Sequence, residues 1–135
     1  MRMFEFDFDL SKNYYLMESQ PLLRKTFAFA VRIVKLRRHL TKKHAEYDLS
    51  RQLMRSGTAP GALCREAKHA ESKKDFVHKL AIAQKECEET MYWLELLHAT
   101  DYLEQIEFSS IHEDAQELMR MLTAAIKTTK KRYLK

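Results

Sequence analysis

The most regular pattern of apolar positions in the chain lies between residues 73 and 99. Apolar or small residues recur there at alternating spacings of four and three, at Phe76, Leu80, Ala83, Cys87, Thr90, Leu94 and Leu97. This spacing places the side chains on one side of an α-helix and is typical of helices that pack in a bundle or a coiled coil. Ser72 and Asp75 form a capping-box signature at its start. The pattern predicts a helix over about 73–99.

The same spacing runs through residues 47–70, although this stretch contains both glycines of the chain and Pro60. The repeating positions are Leu49, Leu53, Ser56, Pro60, Leu63 and Ala67. The unbroken phase favours a helix kinked at Pro60, in which Ser56, Gly57, Pro60 and Gly61 form a small-residue seam that another backbone can approach closely. A loop at 57–61 is the alternative that the Pro-Gly pair allows. A phosphate-binding loop lacks both a preceding strand and a Gly-Lys-Ser/Thr ending.

Two further amphipathic stretches flank these helices. The first begins at Pro21, a residue suited to the first helical position, and runs to about residue 44. Its apolar residues cover roughly half of the helix circumference, more than one groove of a small bundle needs, so part of this arc is expected to face another subunit. The last stretch is predicted to begin at Ser110, with Glu113 completing a second capping box, and to end near residue 133. Four such helices on short connections predict an all-α, up-down-up-down antiparallel four-helix bundle over 21–135.

Residues 1–20 precede the bundle and have a different pattern. Phe4, Phe6 and Phe8 alternate with acidic residues in the stretch FEFDFDL, a period of two that suits an extended segment. A single strand has no partner of its own. This leader is therefore either frayed or an arm laid on a neighbouring surface.

Composition supports an all-α fold and limits the function classes. The chain has 135 residues, one domain by length, and only two glycines and two prolines, so it can turn only rarely. Cys64 and Cys87 show no pairing or metal-binding spacing and are expected to be buried thiols in a reducing compartment. No apolar run approaches the roughly 18–20 residues of a membrane span. We expect a cytoplasmic protein without a membrane partner.

Basic residues are concentrated in the first and the last helix of the predicted bundle. Residues 19–45 and 120–135 contain no acid, whereas 46–119 carry 15 acids against 8 bases. Clustered Lys and Arg without acids are typical of surfaces that bind nucleic-acid phosphates, although a solvated face, a membrane-surface helix or an acidic protein partner also fits. If the first and last helices lie side by side, a nucleic-acid-binding face is expected from Arg24, Lys25, Arg32, Lys35, Arg38, Lys42, Lys43, Lys127, Lys130 and Lys131.

Few other residues form motifs that are typical of metal binding or catalysis. Two Glu-x-x-His pairs, at 66–69 and 95–98, have the spacing of di-iron bundle sites. Such a site also needs an acid from each of the other two helices, and the first helix has none. We therefore expect no metal, no cofactor and no enzymatic activity. Arg55, Glu66 and Glu89 lie beside the packing positions and are interpreted as a structural ion-pair group rather than a polar site.

The stretch 51–97 resembles the bacterial family of 23S rRNA intervening-sequence proteins, which includes the accessory variability protein of diversity-generating retroelements. The residues that match the family pattern are Arg55, Ser56, Thr58, Ala62, Glu66, Ser72, Asp75, Phe76, Glu86, Glu89, Thr90, Trp93 and Leu94. Pro60, Leu63 and Cys64 depart from it, Leu63 standing where the family has Asn. The resemblance implies a four-helix protomer, often in a pentameric ring, without an established enzymatic activity. For the retroelement member it implies binding of nucleic acid and of a reverse transcriptase.

Together these observations predict a non-enzymatic, homo-oligomeric scaffold, with a pentamer favoured, that binds RNA or DNA through its basic face. The alternative is an adaptor that binds an acidic protein through the same face.

Overall fold

The computed structural model describes residues 20–134, which form four α-helices. These are α1 Gln20–His44, α2 Asp48–Ala67, α3 Lys73–Ala99 and α4 Gln105–Tyr133. The all-α prediction is confirmed, and the predicted bounds of the third helix agree with those observed. Apart from Gln20, the leader predicted at 1–20 lies outside the described residues.

Side-chain contacts show that each helix runs antiparallel to its neighbours. Along α2 and α3, Arg55 meets Glu86 and Glu66 meets Lys79. Along α3 and α4, Gln84 meets Thr123 and Glu95 meets His112. Lys25 meets Glu117 and Arg32 meets Ser110, so α1 also runs antiparallel to α4. The predicted up-down-up-down bundle is confirmed.

The core follows the periodic pattern of α3 closely. All seven positions of its four-three pattern are buried, as are five of the six core positions predicted on the last helix. The largest fully buried side chains come from all four helices and fill the centre of the bundle, among them Phe29, Leu53, Phe76 and Leu118. Burial of a side chain of this size stabilises a fold by about 1.5–3 kcal/mol. These positions therefore determine which side of each helix faces the core.

The small-residue seam lies inside α2, and the loop interpretation of 57–61 is wrong. α2 continues through Pro60, and Ser56, Gly57 and Pro60 are buried. A Cβ atom added at Gly57 would lie only 2.7 Å from Cγ1 of Ile33 on α1. At Gly61 the nearest atom would be the backbone oxygen of Thr26, at 3.6 Å. The close approach expected of this seam is therefore made by α1, most tightly at Gly57.

One of the two predicted N-caps is observed, and the Asp75 carboxylate accepts a hydrogen bond from the backbone N–H of Glu71 at 3.3 Å. The Ser72 hydroxyl accepts a hydrogen bond from the Asp75 backbone N–H at 3.0 Å, as predicted for the start of α3. The predicted N-cap at Ser110 is wrong, because α4 begins five residues earlier, at Gln105. Phe108 extends the apolar side of α4 one turn towards its start and stacks on His98, with ring centroids 4.4 Å apart. Residues 105–110 contain no helix breaker, so this packing draws them into α4.

Candidate nucleic-acid interface

Four of the predicted phosphate-binding residues lie together on the second half of α1. Lys35, Arg38, Lys42 and Lys43 are all exposed, and we call them the α1 basic cluster. Lys35, Arg38 and Lys42 are spaced three and four residues apart, so they share one side of the helix. Over this length α1 rises about 10 Å. The cluster is compact enough to contact successive phosphates of one strand.

Lys25 and Arg32 form ion pairs with α4, and their side chains are 25% and 40% exposed. Asp114 accepts hydrogen bonds from Lys25 at 3.1 Å and from Arg32 at 2.6 Å. Glu117 contacts Lys25 at 3.0 Å, and the Ser110 hydroxyl accepts from Arg32. Two of the basic residues of α1 are therefore neutralised by acids of a neighbouring helix.

The pKa values of this ion-pair group follow from opposing effects. Burial raises the pKa of Asp114, but hydrogen bonds and charges from Arg32 and Lys25 outweigh it and lower the pKa below its usual value. Burial lowers the pKa of Lys25, but hydrogen bonds and charges from Glu117 and Asp114 outweigh it and raise that pKa. Both groups are therefore held in their charged forms at neutral pH.

Lys127, Lys130 and Lys131 form a separate α4 basic cluster, exposed at the end of α4. They do not lie alongside Lys25, because the contact between Lys25 and Glu117 places Lys127 ten residues further on, about 15 Å along α4. Arg24 is exposed near the start of α1. Since α1 and α4 are antiparallel, their carboxyl ends lie at opposite ends of the bundle. The continuous basic face predicted from the sequence is wrong, and the structure has two basic clusters instead.

The helix dipole explains part of the positive charge at the ends of α1 and α4. Lys42 and Lys43 lie in the last turn of α1, and Lys130 and Lys131 lie in the last turn of α4. Cations there interact favourably with the helix dipole, by about 0.3–1 kcal/mol each. Lys35 and Arg38 lie more than one turn before the end of α1, where this effect has fallen off. The helix dipole therefore accounts for only half of the α1 basic cluster.

A cavity of about 320 Å³ adjoins the α1 basic cluster, between α1 and α4. Leu36, Leu103 and Ile111 supply its apolar lining, whereas Lys35, His39 and Glu107 supply polar groups. At the outer surface of α1, on the side towards α2, Phe27 and Val31 are 59% and 38% exposed, and Ala30 and Val34 are half-buried. We call these four residues the apolar patch of α1. They correspond to the surplus apolar arc that the sequence predicts.

The three predicted structural polar residues belong to two ion-pair groups between α2 and α3. Arg55 contacts Glu86 at 3.1 Å and also Glu89, whose carboxylate accepts from the Trp93 indole N–H at 3.1 Å. Glu66 pairs instead with Lys79, at 3.1 Å. The three ion pairs join two helices at the surface, so they help to hold the register of α2 against α3, whereas the bond between Trp93 and Glu89 lies within α3.

The candidate metal-ligating residues are used in other contacts. Glu95 bonds to His112 at 2.9 Å, and the ring of His98 contacts the Leu103 backbone oxygen at 2.9 Å. Within 20–134, no group of three or more His, Cys, Asp or Glu side chains is arranged to hold a metal ion. Cys64 and Cys87 are unpaired and buried, and burial raises the pKa of each thiol to about 12. In the same part of the chain, no helix is long and apolar enough to cross a membrane.

Two residues that matter here are absent from the sequence-based prediction. Asp114 neutralises two of the ten predicted basic residues, and only the register of α4 against α1 reveals this. Glu46 is 7% exposed and accepts from the backbone N–H groups of Leu49 and Ser50, at 2.8 and 2.7 Å. An acid just before a helix start is the signal that identifies such a capping residue.

The fold and its surface define the class of protein as a four-helix bundle with charged patches and no recognisable catalytic constellation among the described residues. The model of the 23S rRNA-intervening sequence protein family matches residues 18–124. The chain therefore belongs to this family, as the resemblance of residues 51–97 predicts.

A solved structure from Bacteroides thetaiotaomicron VPI-5482 is similar over most of its length. It is described as a protein of unknown function from the S23 ribosomal protein family. It shares 44% sequence identity and a TM-score of 0.80, over 82% of this chain and 98% of that one. A comparison with curated proteins gives no match.

Proposed function

We propose that the protein is a non-enzymatic, homo-oligomeric cytoplasmic scaffold that binds RNA or DNA through the α1 basic cluster. The observation that carries the proposal is the position of Lys35 and Arg38. Both are exposed on the same side of α1 as Lys42, and neither lies in the last turn, where the helix dipole favours cations. Phosphate binding accounts for a cluster of this kind.

The expected mode of binding is backbone contact with little base selectivity. The cluster consists of Lys and Arg, with no aromatic side chain among its four members. Phosphate contacts position a nucleic acid but carry no sequence information by themselves. Binding should therefore weaken strongly with salt and depend little on sequence.

The test uses gel shifts of the unaltered chain and of Lys35→Glu/Arg38→Glu/Lys42→Glu at several salt concentrations. For four or five phosphates, log affinity should fall with log salt at a slope of about −3 to −4, since each phosphate contributes about −0.7 on single strands and −0.9 on duplex DNA. The triple reversal should abolish the shift without unfolding the bundle, because all three side chains are exposed.

A matched control reverses the same charge on α2 and α3. Arg51, Lys74 and Lys85 are exposed and lie outside both basic clusters. The variant Arg51→Glu/Lys74→Glu/Lys85→Glu should retain most of the affinity. No shift of the unaltered chain at low salt would contradict the proposal. Loss of an acidic protein partner on the α1 reversal, without any affinity for nucleic acid, would instead favour the adaptor function.

A further inference from the structure

The cavity of about 320 Å³ between α1 and α4, which we call the α1–α4 pocket, combines an apolar floor with polar walls. Three buried side chains form the floor, Leu36, Leu103 and Ile111. Lys35 on α1 and Glu107 on α4 are among the polar groups of the walls. Sites for small organic ligands have this mixed character and begin at volumes of about 300 Å³. The pocket is therefore large enough for one small organic group.

Lys35 and Glu107 have opposite charges but are not paired. Asp114, about two turns after Glu107 on the same side of α4, receives both Lys25 and Arg32. No such ion pair joins Lys35 or Glu107 to each other or to another residue of 20–134. The pocket thus holds an ammonium group from one helix and a carboxylate from the other. A ligand that offers both hydrogen-bond donors and an acceptor can bridge them.

The side chain of His39 adds an aromatic ring to the lining of the pocket. Its ring meets that of His44 edge-on, with centroids 5.4 Å apart, and His44 in turn meets Tyr102 at 5.8 Å. These contacts restrict how the His39 ring can turn. Nucleobases that are not paired stack on histidine and other aromatic rings. The pocket therefore offers a planar base both a ring and hydrogen-bonding groups.

The pocket is continuous with the α1 basic cluster. Lys35 belongs to both. Lys42 and Lys43 follow His39 by three and four residues, so they lie about one turn further along α1, on the side that lines the pocket. A nucleotide whose base enters the pocket has its phosphates beside these cations. The neighbourhood of the pocket therefore favours a nucleotide over other small planar groups.

We propose that the α1–α4 pocket takes one unpaired guanine of a single-stranded nucleic acid, an inference that rests on the proposed function of the α1 basic cluster. The Watson–Crick edge of guanine has two adjacent donors, N1–H and N2–H, for the two carboxylate oxygens of Glu107, and the acceptor O6 for the Lys35 ammonium. The other bases have one donor group on that edge. In a duplex the edge is occupied and the base is stacked, so the strand must be unpaired.

The test measures binding of the unaltered chain, by fluorescence anisotropy, to a thymidine oligomer with one guanine at its centre and to the same oligomer with adenine there. The guanine strand should bind about tenfold more tightly, within the range of one bidentate base contact. When both strands are annealed to their complements, the preference should fall below about twofold, because the edge is then occupied. The phosphate contacts do not depend on sequence, so selectivity is confined to this nucleotide.

The variant Glu107→Gln removes the carboxylate from the pocket. The guanine preference should fall below about twofold, whereas affinity for the adenine strand should not weaken, because the change removes a negative charge near the phosphates. Glu113→Gln is the matched control, since Glu113 is another exposed acid of α4 but does not line the pocket. Glu107 also lies in the first turn of α4, where the helix dipole favours an acid. That effect changes the melting temperature but not the guanine preference.

Equal salt-dependent binding of the guanine and adenine strands would overturn the pocket proposal and leave phosphate binding in place. A guanine preference that Glu107→Gln does not change would also overturn it. No binding of either strand at low salt would overturn both proposals. Guanosine monophosphate should compete only at a much higher concentration than the guanine strand, because it brings one phosphate instead of several. Competition at equal concentration would assign the pocket to a free nucleotide and overturn the single-strand proposal.

Discussion

Gly57 and Gly61 lie one turn apart on α2, yet their surroundings predict opposite responses to the same substitution. At Gly57 a Cβ atom would lie 2.7–3.0 Å from three atoms of Ile33, which is fully buried and cannot swing away. Gly57→Ala should therefore destabilise the protein by about 1–3 kcal/mol, the usual cost of overpacking a core. The measurement is thermal or denaturant unfolding.

At Gly61 the same change should be favourable. Its Cβ atom would make ordinary contacts of 3.6–3.7 Å with Thr26, and alanine is preferred over glycine inside a helix by up to about 1 kcal/mol. The expected order of stability is Gly61→Ala, then the unaltered chain, then Gly57→Ala. Equal destabilisation by both changes would mean that α1 approaches the whole small-residue seam equally closely.

Asp114 gives the bundle a specific pH dependence. Its pKa is lower in the folded chain than in the unfolded chain, so its ion pairs stabilise the fold at neutral pH and are lost as the pH falls through the lowered value. The pKa of Lys25 is raised, so its contribution is lost only in strong alkali, above its usual value of 10.5.

Asp114→Asn should lower stability by up to about 1 kcal/mol at pH 7, in the range of surface ion pairs. The difference from the unaltered chain should shrink in acid, below the usual carboxyl pKa. The substitution should also free the side chains of Lys25 and Arg32 and so strengthen salt-dependent binding of nucleic acid. Urea unfolding at pH 7 and at pH 3 measures the first effect, and a difference that does not change between them would exclude this ion-pair group as its source.

Among the helices, α3 was the easiest to predict and the start of α4 the hardest. Seven of the eight buried positions of α3 follow one another at spacings of four or three, and Ser72 supplies a side-chain cap, so local signals suffice. α4 has no side-chain cap, and its first turn is drawn in by the packing of Phe108 on His98. That contact joins two helices and has no local signature.

The candidate site was predicted only in part, for a reason of topology. Eight of the ten predicted basic residues are exposed, but their grouping required the ends of α1 and α4 to be compared. The predicted up-down-up-down order already places those ends at opposite ends of the bundle. The contacts of Asp114 depend in addition on the register between two helices that are far apart in sequence. Composition and charge runs carry no information on that register.

The turn between α1 and α2 shows the same dependence on packing. Ala45 has a φ angle of 52°, an uncommon value for a residue other than glycine. Glu46 follows and is held by two backbone N–H groups at the start of α2. Both residues adopt these positions because the chain must reverse direction within three residues, between His44 and Asp48.

For the whole molecule, the apolar patch of α1 points to assembly. Phe27, Ala30, Val31 and Val34 are spaced as one side of a helix, and Phe27 and Ala30 adjoin Thr58 and Ala62 of α2 around a shallow cavity of about 180 Å³. The bundle itself does not bury this patch. A contiguous apolar surface rimmed by polar residues marks an interaction site, and identical contacts that are not two-fold must close into a ring or form filaments.

Because the resemblance to the family implies a pentameric ring, we expect light scattering of the unaltered chain to report a closed assembly, with a mass of about five times the 16.1 kDa protomer. Phe27→Asp/Val31→Asp should reduce it to smaller species while circular dichroism stays helical, because both side chains are already exposed. Ile106→Asp is the matched control, since Ile106 is 85% exposed but lies on α4, away from the patch. It should leave the assembly intact. A monomer whose mass does not change with concentration would contradict the assembly, and an assembly that survives the double substitution would place the interface elsewhere on the bundle.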